Sequence, residues 1–146
     1  MKMKLEDIFV HYEEITGLEK NKIKPNAIIN KSLPPKLSYA ITKNVKAFKK
    51  EILDYERIRE DTIKKFCEKD ENGNIVFETT KAGKRPKMSE EEEKIVLKEL
   101  SDIMEMEVDI NIMKVPFSAI EQSEESERYH ILTGKEIMIL DFMIQE

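Results

Sequence analysis

Residues 33–77 read LPPKLSYAITKNVKAFKKEILDYERIREDTIKKFCEKDENGNIVF, the longest periodic segment of the chain. Leu37, Ile41, Val45, Phe48, Ile52 and Tyr55 recur at intervals of four, four, three, four and three, which lines one face of an α-helix. Ile58, Ile63 and Phe66 carry the stripe onward with one skip. Pro35 falls in the first turn, where its missing N–H costs nothing. The spacing predicts one helix over 35–68, about 50 Å long at 1.5 Å per residue. Arg59 and Thr62 stand where a strict repeat would place apolar side chains, so the stripe is expected to rotate after Tyr55. Lys69–Asn74, rich in Asn, Asp and Gly, ends the helix, and Ile75-Val76-Phe77 opens a short strand.

Upstream, Leu5, Ile8, Phe9, Tyr12 and Ile15 predict a helix over 1–17 that stops at Gly17, and the aperiodic residues 18–34 read as a loop. Downstream, the turn signal at Gly83 and the restriction imposed by Pro86 predict a hairpin over 75–88. Ser89 with Glu92 forms a capping box for a helix over 89–105, whose apolar face is Val96, Leu97, Leu100, Ile103 and Met104. Alternation of Met106, Val108, Ile110 and Ile112 with acidic or polar residues predicts a strand over 107–115. Residues 116–130 read as surface loop, and Thr133 with Glu136 caps a final helix over 134–145. The expected fold is α+β in a single domain, 1–146. It comprises a long helical hairpin, a small antiparallel sheet joining 75–79 to 107–113, and a C-terminal docking helix.

The 146 residues are 40% hydrophobic and 38% charged, with four glycines and a mean hydropathy of −0.54. Soluble chains average about 25% charged residues. Such a composition favours exposed helices and excludes a thick-cored dinucleotide fold or barrel, both of which need Gly-rich turns and long apolar strands. No stretch approaches the roughly 18 apolar residues of a membrane span, no membrane association is expected, and MKMKLEDIF turns acidic at Glu6 and Asp7 where a secretory leader needs its apolar run. A cytoplasmic protein is expected, in keeping with the single cysteine, Cys67.

Charge is segregated behind the net value of −5. Residues 20–50 hold nine lysines, Lys20, Lys22, Lys24, Lys31, Lys36, Lys43, Lys46, Lys49 and Lys50, and no carboxylate. Residues 89–146 carry a net −11. A basic block of this kind attracts phosphates, or equally the acidic half of its own chain. All nine charges are lysines, without the bidentate fork of arginine that specific phosphate or base recognition commonly uses.

Little else carries chemistry. His11 and His130 lack a second ligand one turn away, and Cys67 lacks a base at any local spacing and reads as a small buried hydrophobe. Glu105, Glu107 and Asp109 would share one face of a strand, which a solvated surface explains as well as a cation does. Asp70–Asn74 lacks the order and the closing Glu of a calcium loop. Gly83-Lys84 lacks the preceding glycine and following Ser or Thr of a phosphate loop. No catalytic, cofactor-binding or metal-ligating residue is assigned, and the chain is read as not an enzyme. A pocket joining His11, His130 or Cys67 to a carboxylate would reopen that reading.

The order LPPKLSYAITKN, YERIREDTIKKFCEKDENGNIVF, a capped acidic helix, MEVDINI and LTGKEIMILDFMIQE resembles a family of small proteins of unassigned function encoded by bacteriophages and prophages of low-GC Gram-positive bacteria. The resemblance spans residues 33–146, with departures at KAGKRPK and QSEESERYH. It implies a viral origin and action in the host cytoplasm, and brings no catalytic residue with it.

Two functions follow as expectations. The first is a non-enzymatic interaction protein that binds a host or phage protein, in its most pointed form an inhibitor of a bacterial antiviral defence. It would present Glu90, Glu91, Glu92, Glu93, Glu105, Glu107 and Asp109 where phosphates would otherwise lie. The alternative is a nucleic-acid-binding accessory protein using Lys43, Lys46, Lys49 and Lys50 with the loop residues Lys81, Lys84, Arg85 and Lys87. Complementary charge blocks and a long apolar stripe also lead us to expect a homodimer.

Overall fold

The computed structural model describes residues 1–19 and 22–145; Lys20 of the basic block and Asn21 of the expected loop lie outside them. In chain order the elements begin with β1 (Lys2–Lys4), α1 (Leu5–Thr16), β2 (Leu18–Glu19), β3 (Lys22–Ile23) and α2 (Pro35–Phe66). Next come β4 (Phe77–Thr80), β5 (Gly83–Pro86), α3 (Glu90–Met104) and β6 (Glu107–Asp109). Last are β7 (Val115–Pro116), α4 (Phe117–Glu121), α5 (Gly134–Leu140) and β8 (Ile144–Gln145). The fold is α+β, and the stretch expected to form one long helix forms α2. Two compact units are distinguished, Met1–Ile52 with Glu107–Glu146, and Leu53–Met106.

In the first unit the buried face of α2 is Leu37, Ala40, Ile41, Asn44, Phe48 and Ile52: four members of the expected repeat, with Ala40 and Asn44 beside them, while Val45 is half-buried. Ile8 and Ile15 from α1 are fully buried, as are Leu140 and Met143. Asn44 is wholly inaccessible to solvent. Its Oδ1 accepts the Met113 N–H at 2.7 Å and its Nδ2 donates to the Met113 carbonyl at 3.0 Å. Both backbone groups of a segment outside any ladder are thereby satisfied by one side chain.

The second unit contains the latter part of α2, the β4–β5 hairpin and α3. Val96 and Leu100 of α3, with Cys67, are buried there. Of the two polar residues at the strict-repeat positions, Thr62 is buried and Arg59 is exposed, while Ile58 is exposed and Ile63 and Phe66 are half-buried, so the stripe is interrupted after Tyr55 and resumes around Thr62. The Thr62 hydroxyl donates to the Ile58 carbonyl at 2.7 Å, which satisfies a polar group in an apolar position. Asp70 Oδ1 accepts the N–H groups of Asn72 and Asn74, both at 2.9 Å, so that carboxylate is spent on the turn.

Several boundaries differ from the sequence reading. β6 pairs antiparallel with β1, Lys2 opposite Asp109 and Lys4 opposite Glu107, and the 75–79 segment supplies β4, which pairs with β5 instead. The expected strand 107–115 is divided: Ile110 still exchanges backbone hydrogen bonds with Met1 beyond the end of β6, Met113 is held by Asn44 outside any ladder, and Val115–Pro116 pairs in parallel with Ile144–Gln145. The helix expected over 134–145 ends at Leu140, where the backbone tightens to a 3₁₀ turn over Asp141–Met143 before β8. The 116–130 segment contains α4 and a second 3₁₀ turn, which bury Ala119, Ile120 and Ser123. Residues 18–34 hold the short β2–β3 hairpin and a 3₁₀ turn at Ile28–Asn30.

Gly17 ends α1 with φ +68° and donates its N–H to the Glu13 carbonyl at 2.8 Å. A Cβ there would lie 2.7 Å from Ala27 Cβ and 3.0 Å from the Lys24 carbonyl oxygen. Gly17→Ala is therefore expected to cost about 2 kcal/mol, from left-handed strain and overpacking together. Urea unfolding followed by far-UV circular dichroism checks this, and an unchanged midpoint would refute it.

Candidate functional site

Three places bring charged or titratable side chains together. The first is the outer face of α2 within the first unit. At about 100° per residue, Lys36, Lys43, Lys46 and Lys50 fall within about 80° of one another, and Lys49 flanks them. All five are exposed, because the opposite side of the helix is fixed by the burial of Leu37, Ile41, Asn44 and Phe48. None of the five has an ion pair among the described residues. Tyr39 lies among them, 57% exposed, with Lys43 Nζ 5.6 Å from the centre of its ring. Sequence reasoning located these lysines and missed Tyr39. Its signal was present, since Tyr39 stands outside the Leu37–Ile41–Val45 repeat and four residues before Lys43.

The acidic run and the basic hairpin, both singled out from the sequence, are partly engaged within the molecule. Glu90, Glu91, Glu92 and Glu93 form the first turn of α3, where the helix dipole stabilises carboxylates, and Ser89 Oγ accepts the Glu92 N–H at 3.2 Å. Glu93 Oε1 lies 3.6 Å from Arg85 Nη1, and Arg85 Nε donates to Glu78 Oε1 at 2.7 Å. Lys87 Nζ is 3.6 Å from Glu68. Of the hairpin cations, Lys81 and Lys84 alone stay without an ion pair among the described residues. Glu105 is the C-cap of α3 in a helical conformation, so it does not share a strand face with Glu107 and Asp109. Those two face Lys4 and Lys2 across the β1–β6 ladder.

The third place is a cleft of about 610 Å³ in the first unit, lined by Glu13, Glu14, Lys24, Lys31, His130 and Glu136 among others. His130 Nε2 lies 2.8 Å from Glu136 Oε1, which also accepts the Thr133 N–H at 2.9 Å. Burial alone would raise the Glu136 pKa. The Thr133 N–H, the His130 ring and the Thr133 hydroxyl outweigh it, so the carboxyl titrates below its ordinary value. A carboxylate that orients an imidazole is general-base geometry, and this meets the condition that reopens the enzyme question. The same Glu136, however, completes the capping box of α5, and the hydroxyl in the lining, that of Thr133, accepts the Glu136 N–H at 3.2 Å as part of that box. The pair fastens the 126–133 segment to α5.

His11 has a packing role. Its ring lies 4.4 Å from that of Phe142 and 6.0 Å from that of Phe48. Burial pushes its pKa below the ordinary histidine value, against the opposing pull of Glu14 and Asp7. Cys67 is buried, with Sγ 3.6 Å from the Lys64 carbonyl oxygen. Among the described residues no group of three or more His, Cys, Asp or Glu is placed to hold a metal ion, and no helix is long and apolar enough to cross a membrane. No known family model, curated protein or solved structure matches the chain.

Proposed function

We propose that the chain is a non-enzymatic nucleic-acid-binding protein whose working surface is the lysine face of α2. The observation that carries this reading is the placement of Lys36, Lys43, Lys46 and Lys50 on one exposed, rigidly backed stripe without an ion pair among the described residues. Lysines left unneutralised attract a polyanion and gain affinity by releasing its condensed counterions. The competing reading, an acidic surface that binds a host or phage protein, draws on a run already serving the molecule. Glu93 is drawn to Arg85 and Asp109 to the amino-terminal ammonium, at 3.6 and 3.5 Å. Glu90, Glu91, Glu105 and Glu107 are exposed without an ion pair among the described residues and are what remains to support it.

The test is fluorescence anisotropy of a labelled oligonucleotide across a salt series. Four phosphate contacts give a slope of log K against log salt of about −3 to −4. Lys43→Glu with Lys46→Glu and Lys50→Glu is expected to abolish binding, while Glu90→Gln with Glu91→Gln leaves it unchanged or slightly tighter. Undiminished affinity in the lysine variant would overturn the proposal. Loss of a protein partner in the glutamine variant, without any nucleic-acid binding by the native chain, would establish the acidic reading instead.

A further inference from the structure

We propose that the lysine face is selective for single-stranded nucleic acid and that one base stacks on the ring of Tyr39; this rests on the nucleic-acid reading above. Tyr39 is 57% exposed at the centre of a stripe whose other members are cations. Lys36 and Lys43 bracket it by three and four residues, about 4.5 and 6 Å along the helix axis. Lys43 Nζ sits over the ring, 5.6 Å from its centre, so phosphate-binding charge lies beside a stacking surface.

A duplex offers such a ring no partner, since its bases are stacked on one another and only their edges reach the grooves. A single strand offers a π-face at each nucleotide while its phosphates track the flanking cations, and this combination of aromatic and lysine underlies sequence-tolerant single-strand binding. Lysine without arginine fits the same reading. A point charge holds phosphate and lacks the planar fork that reads guanine in a major groove. Net charge acts in the same direction. The chain carries −5 overall, and the denser charge of a duplex is repelled more strongly than that of a single strand.

The experiment compares labelled (dT)20, (rU)20 and a 20-base-pair duplex on the full chain, in the native form and in Tyr39→Ala and Tyr39→Phe. Both single strands are expected to bind about tenfold or more tightly than the duplex at about 0.1 M salt. Tyr39→Ala should weaken them by about tenfold without changing the salt slope, because no phosphate contact is lost, and Tyr39→Phe should restore binding. A larger loss on (rU)20 than on (dT)20 would make the strand RNA, and the converse DNA. Tyr39→Ala binding single strands as the native chain does, or equal or tighter binding of duplex, would overturn the stacking proposal while leaving the lysine face in place. Failure of all three probes to bind the native chain would overturn both. Tyr39 is exposed, so an unchanged circular dichroism spectrum is expected for each variant.

Discussion

Asn44→Ala destabilises the protein by about 2–4 kcal/mol, read as a lowered urea midpoint. A surface Asn→Ala on a helix would be nearly neutral. Here the side chain is wholly buried and serves as the sole partner of both Met113 backbone groups among the described hydrogen bonds. Its removal leaves a part-buried donor and acceptor without their partner, each costing up to about 1–3 kcal/mol, and a cavity where the amide was buried. Met113 itself is 40% exposed, so Met113→Ala is expected to change the midpoint little. Equal losses in the two variants would place the energy in the methionine side chain and refute the backbone clamp.

The second large effect is Phe48→Ala, at about 3–5 kcal/mol. Phe48 is fully buried, 5.5 Å from the Phe142 ring and 6.0 Å from His11. It carries a pH signature. Because burial depresses the folded-state pKa of His11, the unfolded chain binds more protons as pH falls below about 6.5. The contribution of neutral His11 is thus complete above that value and is lost as pH falls towards the lower folded pKa. Truncating Phe48 admits water beside the imidazole and moves its pKa back up, so the stability difference between pH 7.5 and 5.5 should shrink. Glu136 titrates below its ordinary 4.5 and does not intrude on this window. A His11 titration by NMR that is identical in both proteins would refute the coupling.

The helices were legible where burial imposes a period. α1, α2 and α3 each bury one stripe, and the serine and threonine caps of α3 and α5 were visible as local spacings. Asn44 was legible in principle, being three residues after Ile41 and four before Phe48, which places it on the buried face. Its partner was not, because nothing local marks Met113. The β1–β6 pairing escaped for the same reason. Lys2–Lys4 is a three-residue strand with one apolar residue, too short for alternation to register. The end of α5 was obscured by an apolar run that continues through a 3₁₀ turn and a strand. For the candidate site, composition located the lysines. It did not distinguish free charges from those spent on internal pairs such as Arg85 with Glu78 and Glu93, since such pairing is a property of distance alone.

The first unit is discontinuous, closed by residues on either side of Leu53–Met106, and this bears on how it is made. During synthesis at about 5–20 residues per second, the β1 strand leaves the ribosome seconds before its partner Glu107–Asp109 exists. Asn44 likewise waits for Met113, 69 residues later. The intervening segment emerges whole and is free to fold in that interval, while α1 and the start of α2 hold exposed apolar faces without their closing strand. A nascent chain stalled before residue 107 would carry an unpaired β1 and an unfilled core, the kind of exposed apolar surface on which chaperones and proteases act.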